Sequence, residues 1–214
     1  MSALGFCLAC LAGYLLGAVP TGLLLTRWVA GVDLRSVGSG NTGFSNATRV
    51  VGYKWSVWVL AFDVLKGFVP AFLFPRWLDL QATRGLGEEA ARLAIAVTPV
   101  IGHCSSIFLK FRGGKGVATS MGVYLALAPL PLFIALGLGL VMIAATRYMS
   151  AGSMTGALTL AVTLPFINRS EPLLRDLTIL IALVIVILHR ANIQRLLNGT
   201  EHKLGEKIKT GGKP

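Results

Sequence analysis

Three polar segments of this strongly apolar chain carry the residue types that bind anions. The first is GSGNTGFSNATRVVG, residues 38–52. Glycine permits close backbone approach and positive φ, so successive N–H groups can converge on a negative group. Ser39 and Asn41 offer hydrogen bonds, with Asn46 a further candidate substrate contact, and Arg49 supplies a planar fork that can grip a phosphate. A polar turn between two helices is the plainer alternative, but a simple turn rarely needs so many small polar residues.

The second segment, GHCSSIFLKFRGGKGVATS at 102–120, sets Gly113, Gly114, Lys115 and Gly116 at the mouth of an uncharged run. It is not a nucleotide P-loop. That motif needs a glycine where Leu109 stands and Ser or Thr where Gly116 stands. The mechanics can still be shared, because a glycine turn opens a helix whose free N–H groups and dipole face an anion, with a lysine alongside. Arg112 and His103 join this cluster as substrate-binding candidates; the alternative is a basic anchor at the headgroups. The third segment, HRANIQRLLNGTEHK at 189–203, puts His189, Asn192 and Arg195 at helical spacing, with snorkelling as the alternative for Arg195. A smaller cluster, TRYMSAGS at 146–153, offers Ser150 or Ser153.

The elements that must position these residues are membrane helices. Of 214 residues 54% are hydrophobic and 14% charged, against about a quarter charged in ordinary soluble domains. Mean hydropathy is +0.71. This indicates one all-α polytopic membrane domain over residues 1–214, with a basic tail from 203. Met1 to Thr26 lacks charge and a basic leader region, so it reads as a first transmembrane helix rather than a signal peptide. Further runs cover Trp55–Phe74, Leu93–Leu109 with a break at Pro99, Val117–Thr146, Tyr148–Ile167 and Leu177–Leu188. Residues 117–146 would make one helix of about 45 Å against a core of about 30 Å. Pro129 and Pro131 favour a break into two short helices there.

That break gives seven spans, and charge agrees with the count. With the N-terminus outside and the C-terminus cytoplasmic, Arg27, Arg35, Arg49, Lys54, Lys110, Arg112, Lys115, Arg147, Arg190, Arg195 and the tail lysines all fall inside. The outside set is Arg76, Arg84, Arg92, Arg169 and Arg175, diluted by Asp79, Glu88, Glu89, Glu171 and Asp176. This is the positive-inside pattern, and six spans would break it. The net charge of +11 then gathers on one face. Anionic lipid and anionic substrates fit such a face; nucleic acid does not, since no stacking pattern or binding motif accompanies it. Asp63 and Lys66, three apart in a span, are expected to pair and to play a structural part. Cys7 and Cys10 read as helix packing, Cys104 has no acidic partner nearby, and no metal or cofactor is expected.

The motifs GSGNTGFSNATR, GHCSSIFLKFRGGKGVAT and HRANIQRLLNGTE, supported by LAFDVLKG at 60–67 and TRYMS, resemble the bacterial acyl-phosphate-dependent glycerol-3-phosphate acyltransferases, the PlsY family. The resemblance runs nearly end to end. It implies a seven-helix enzyme of the bacterial cytoplasmic (inner) membrane. That enzyme transfers a fatty acyl group from acyl phosphate to the 1-hydroxyl of sn-glycerol 3-phosphate, giving lysophosphatidic acid and phosphate for phospholipid synthesis. By motif, Ser39 and Arg49 match an essential pair, Gly113 to Gly116 the phosphate loop, His189 and Asn192 active positions, and Glu201 a supporting acid. This chain departs from many relatives at Thr42, Phe44-Ser45, Ser105-Ser106, Arg112 and Ala191, which bears on pocket shape rather than on the reaction. The partners implied are the two substrates and membrane lipid, with a monomeric catalytic unit.

Two questions stay open at this level. The base is either a histidine, His103 or His189, or an oxygen of a substrate phosphate, and the second is favoured because the His-four-residues-Asp arrangement is absent. The competing class is an anion or lipid transporter, which would place its site near mid-bilayer between repeats; no internal repeat is evident.

Overall fold

The computed structural model describes residues 2–77 and 87–206. Asp79, Arg84 and the tail lysines Lys207, Lys209 and Lys213, all used in the charge reading, lie outside the described residues. The described chain is helical, without strands: α1 (Ala3–Ala18), α2 (Thr21–Ala30), α3 (Phe44–Trp77), α4 (Glu88–Cys104), α5 (Val117–Leu127), α6 (Pro129–Thr146), α7 (Met149–Ile167), α8 (Pro172–Leu188) and α9 (Arg190–Leu197). Short 3-10 turns at Leu34–Ser36 and Ile107–Leu109 lie in the two longest polar loops.

Prolines explain where expectation and structure part. The first run is not one helix to Thr26; it breaks at Val19-Pro20, where Pro20 has no N–H and biases its neighbour out of the helical region. In a bilayer the carbonyls freed by such a break need partners. Ser106 Oγ donates to the Ala18 carbonyl at 2.6 Å, and Lys66 Nζ donates to the Val19 carbonyl at 3.0 Å. Pro99 was expected to interrupt its run, yet α4 continues through it. Thr98 Oγ1 donates to the Ile95 carbonyl at 2.7 Å, serving the acceptor that Pro99 cannot. Pro129 does end a helix, as α5 stops at Leu127 and α6 begins at Pro129 after the single residue Ala128.

Helix α3 contains a kink where Gly52 takes φ 73°, a value that favours glycine. Its first eight residues, carrying Asn46, Thr48 and Arg49, are thereby set apart from the long apolar part. Thr48 Oγ1 donates to Ser56 Oγ across the kink at 2.8 Å. Among the described residues, five stretches are long and apolar enough to cross a bilayer: 3–30, 44–77, 88–109, 129–146 and 149–167. The pair α8 and α9, bent by 54°, makes a sixth. Helix α5 has 11 residues and so reaches about 16 Å, roughly half the core. It packs deeply against α3, with Gly67 and Gly122 letting the two backbones meet at the carbonyls of Thr119 and Val64.

The largest buried apolar cluster joins α5, α6, α7 and α8 around Tyr124, Leu132, Leu160, Leu164, Leu174 and Ile185. A smaller cluster under the first polar loop, Leu23, Leu34, Ala47, Val59 and Leu109, ties α2 to α3.

Candidate active site

The loop that precedes α3 is organised by a single side chain. Asn46 is 1% exposed, and its amide nitrogen donates to the carbonyls of Leu34, Val37 and Asn41, each at 3.0 Å. Its oxygen accepts from the Ser39 backbone N–H at 3.2 Å. Asn46, an expected substrate contact, lines the cavity, and both ends of its amide are engaged in holding the loop that presents Ser39 and Asn41. Arg49 stands beyond it on the first turns of α3. Its guanidinium reaches only Ser45 Oγ, at 3.5 Å, and has no carboxylate within ion-pair distance among the described residues. It faces a cavity as an unneutralised cation.

The glycine loop works differently from a nest of free amides. Gly113 and Gly114 N–H donate to the carbonyls of Cys104 and His103 at 3.1 and 2.9 Å, folding the loop back on the end of α4. A Cβ on Gly114 would overlap the His103 ring. What opens toward the cavity is the start of α5, where Gly116 takes φ 78° and no side chain caps the first turn. Its orphan N–H groups and the positive end of the helix dipole remain available to an anion. Gly116, Val117 and Ala118 line the cavity, as does Lys115; Gly113, Gly114 and the exposed Arg112 do not.

Lys115 is held by a chain that ends on Glu201. Lys115 Nζ donates to Asn192 Oδ1, and Asn192 Nδ2 donates to Glu201 Oε1 at 2.7 Å. The same oxygen accepts from Ser150 Oγ at 2.8 Å, while Oε2 accepts from Arg195 Nε at 2.7 Å. Burial alone would raise the Glu201 carboxyl, but the bonds from Asn192, Arg195 and Ser150 outweigh it and hold the group below its ordinary value. Lys115 is pushed down to about 8 by burial first, with Glu201 opposing and Arg195 and Arg49 adding to the fall. His189 donates from Nδ1 to the Ile185 carbonyl at 2.8 Å, which fixes the tautomer of a neutral ring and leaves Nε2 as an acceptor.

Asp63 and Lys66 pair as expected, at 2.7 Å and nearly buried. Thr21 Oγ1, which carried no signal in the sequence, donates to the same Asp63 oxygen at 2.6 Å. His103 lies 3.7 Å from it through Nδ1. Lys66 therefore belongs to the seam where α1, α2, α3 and α4 meet, and Asp63 and His103 reach from that seam to the cavity wall.

The cavity itself is about 420 Å3. Ser39, Asn41, Arg49, Lys115, Ser150, His189, Asn192 and Glu201 form its polar head, gathered from four loops and helix ends. Below them run Met121, Leu136, Ala157, Ile181 and Ile185, from α5, α6, α7 and α8. Ser153 lines the cavity beside Ser150. Ser120 does so too, with its buried hydroxyl lacking a partner among the described residues. Its position one turn past the glycine loop was the available clue. A cationic head joined to an apolar slot suits an amphiphile with a phosphate at one end and an alkyl chain at the other.

Known proteins of this shape agree. A family model described as glycerol-3-phosphate acyltransferase matches residues 7–199. The glycerol-3-phosphate acyltransferase of Syntrophotalea carbinolica is 41% identical over 198 residues, covering 92% of this chain and 97% of the relative. That of Thermus thermophilus is 43% identical over 200 residues, covering 92% and 94%. Two crystal structures of PlsY (YgiH), an integral membrane glycerol 3-phosphate acyltransferase, superpose closely. The glycerol 3-phosphate form gives a TM-score of 0.83 at 34% identity, and the lysophosphatidic acid form 0.81 at 32%, each covering 94% of this chain and 96% of the other. With the three motifs folded around one cavity and this likeness spanning nearly the whole length, the chain belongs to the glycerol-3-phosphate acyltransferase family of integral membrane proteins.

Proposed function

We propose that this acyltransferase takes its acyl group from acyl phosphate and transfers it to the 1-hydroxyl of sn-glycerol 3-phosphate. The hydroxyl oxygen attacks the acyl carbonyl, a new ester C–O bond forms, and the C–O bond to phosphate breaks. Phosphate departs with the electron pair, the hydroxyl proton passes to a phosphate oxygen, and the products are 1-acyl-sn-glycerol 3-phosphate and inorganic phosphate. The observation that carries this reading is the shape and charge of the cavity, in which Arg49 and Lys115 stand over an apolar slot. Two anionic substrates repel each other, and a clustered cationic head offsets that repulsion.

An acyl phosphate is already activated, so positioning can supply much of the acceleration, up to ~7–11 kcal/mol in the best oriented systems. Ser39 and Asn41 hold substrate by hydrogen bonds, while Lys115, Arg49 and the start of α5 take the phosphates. Asn192 and Ser150 keep Lys115 and Glu201 in register. The substrate-assisted route is favoured, with His103 and His189 orienting rather than removing the proton. If His103→Ala and His189→Ala each abolish turnover while both substrates still bind normally, a protein base is the better account.

In this reading α1 with α2, α3, α4, α5, α6, α7 and α8 make seven passages. The N-terminus is outside, the C-terminus and active site are cytoplasmic, the location is the inner membrane, and the catalytic unit is a monomer. The test is an assay of purified protein with radiolabelled glycerol 3-phosphate and either palmitoyl phosphate or palmitoyl-CoA. Lysophosphatidic acid should form from the phosphate alone. Preference for the thioester overturns the donor assignment, and absence of product from both points to a carrier.

A further inference from the structure

The apolar slot has a floor, and the floor is polar. Tyr124 and Thr178 both line the cavity, and each is 1% exposed. Tyr124 OH donates to Thr178 Oγ1 at 2.9 Å, and Thr178 Oγ1 donates to the Leu174 carbonyl at 2.6 Å. A fully satisfied buried pair of this kind is rigid, and opening it leaves unpaired groups in an apolar surround. The mechanism above gives the pair no task.

The depth of this pair is consistent on three helices. The lining runs from His189 down to Thr178 beside α8, from Ser150 to Leu160 along α7, and from Ile143 to Leu132 along α6. At 1.5 Å per residue these are descents of about 15–17 Å. Below the layer of Tyr124, Leu132, Leu160 and Thr178 come Leu164 and Leu174, fully buried and outside the cavity lining.

We infer that the Tyr124–Thr178 pair, with Leu132 and Leu160, is the floor that sets which acyl-chain lengths this enzyme accepts. The inference rests on the reading that the slot holds the acyl chain of the donor. An extended chain with C–C bonds of ~1.5 Å advances roughly 1.25 Å per carbon, so the slot takes about thirteen carbons below the polar head. Longer chains must bend or displace the floor. A mismatch of one methylene in an apolar pocket already changes rates by about 10-fold or more.

The experiment measures transfer to radiolabelled glycerol 3-phosphate from acyl phosphates of ten to eighteen carbons, in wild type, Thr178→Leu, Thr178→Met and Tyr124→Ala. Folding is checked by size-exclusion profile and glycerol 3-phosphate binding. Filling the floor with either Thr178 variant should move the optimum down by two to four carbons, changing the twelve-to-sixteen-carbon rate ratio at least tenfold. Tyr124→Ala should move it up. Identical length profiles in all folded variants overturn the floor assignment. If no acyl phosphate is used at all, the donor reading has failed instead, and the same series with acyl-CoA thioesters tests the floor by the same shift.

Discussion

Replacing Glu201 by glutamine is the sharpest single perturbation of the head group cluster. The carboxylate is 3% exposed and accepts from three donors, Asn192 Nδ2, Ser150 Oγ and Arg195 Nε. Glutamine offers one carbonyl oxygen and one NH2, so either Arg195 or the Asn192–Ser150 pair must face a donor. A lost charge-assisted bond costs about 1.5–3 kcal/mol and a buried donor left unpaired about 1–3 kcal/mol. Arg195 is 28% exposed and can rehydrate, which favours the lower part of these ranges. The expected loss is therefore about 3 kcal/mol, a fall in Tm of roughly 6–12 °C at 2–4 °C per kcal/mol. Lys115 reaches Glu201 through Asn192, so its ammonium should also shift, and a displacement near 1 Å can cost about 100-fold in rate. Thermal unfolding in detergent micelles and kcat/KM for glycerol 3-phosphate measure the two effects. A Glu201→Gln protein with Tm within 2 °C and kcat/KM within threefold of wild type, on the order of the scatter in such measurements, refutes the reasoning. Arg195→Ala, which removes the one charge-assisted bond to the buried carboxylate, should cost about 1.5–3 kcal/mol.

Other perturbations test separate parts of the site. Lys115 is pushed down to about 8, so its ammonium loses a proton as pH rises through that value, and kcat/KM for glycerol 3-phosphate should fall about tenfold per pH unit above it; a profile flat from pH 7 to 9.5 contradicts this. Asp63→Asn strands the buried Lys66 ammonium and should lower stability by about 3–5 kcal/mol, whereas Asp63→Asn with Lys66→Met should recover part of it, less the cost of the Val19 carbonyl that loses its donor; additive losses in thermal unfolding argue against the pair. Gly114→Ala drives a methyl group into the His103 ring and should cost about 1–3 kcal/mol, with KM for glycerol 3-phosphate raised as the loop shifts; unchanged kinetics and Tm remove the loop from the account.

Much of this molecule is legible along the chain, because lipid imposes a local rule. Apolar runs must be helical, prolines bias where they stop, and cations collect where the chain leaves the bilayer. The Pro129 break, the Asp63–Lys66 pair and the three polar segments that meet at the cavity follow from residue types and spacing alone. Tertiary structure decided which polar groups remain free for a ligand. Asn46 and the Gly113 and Gly114 amides carry the right chemistry, yet contacts to Leu34, Cys104 and His103 engage them, while Arg49 is left open. Thr98 rescues α4 at Pro99, and no rule read from Pro99 alone anticipates it. Tyr124 and Thr178, 54 residues apart, meet only when α5 and α8 enclose the slot. The reason is physical: partition between water and lipid is a property of short segments, whereas hydrogen-bond satisfaction is a property of whatever the fold brings alongside.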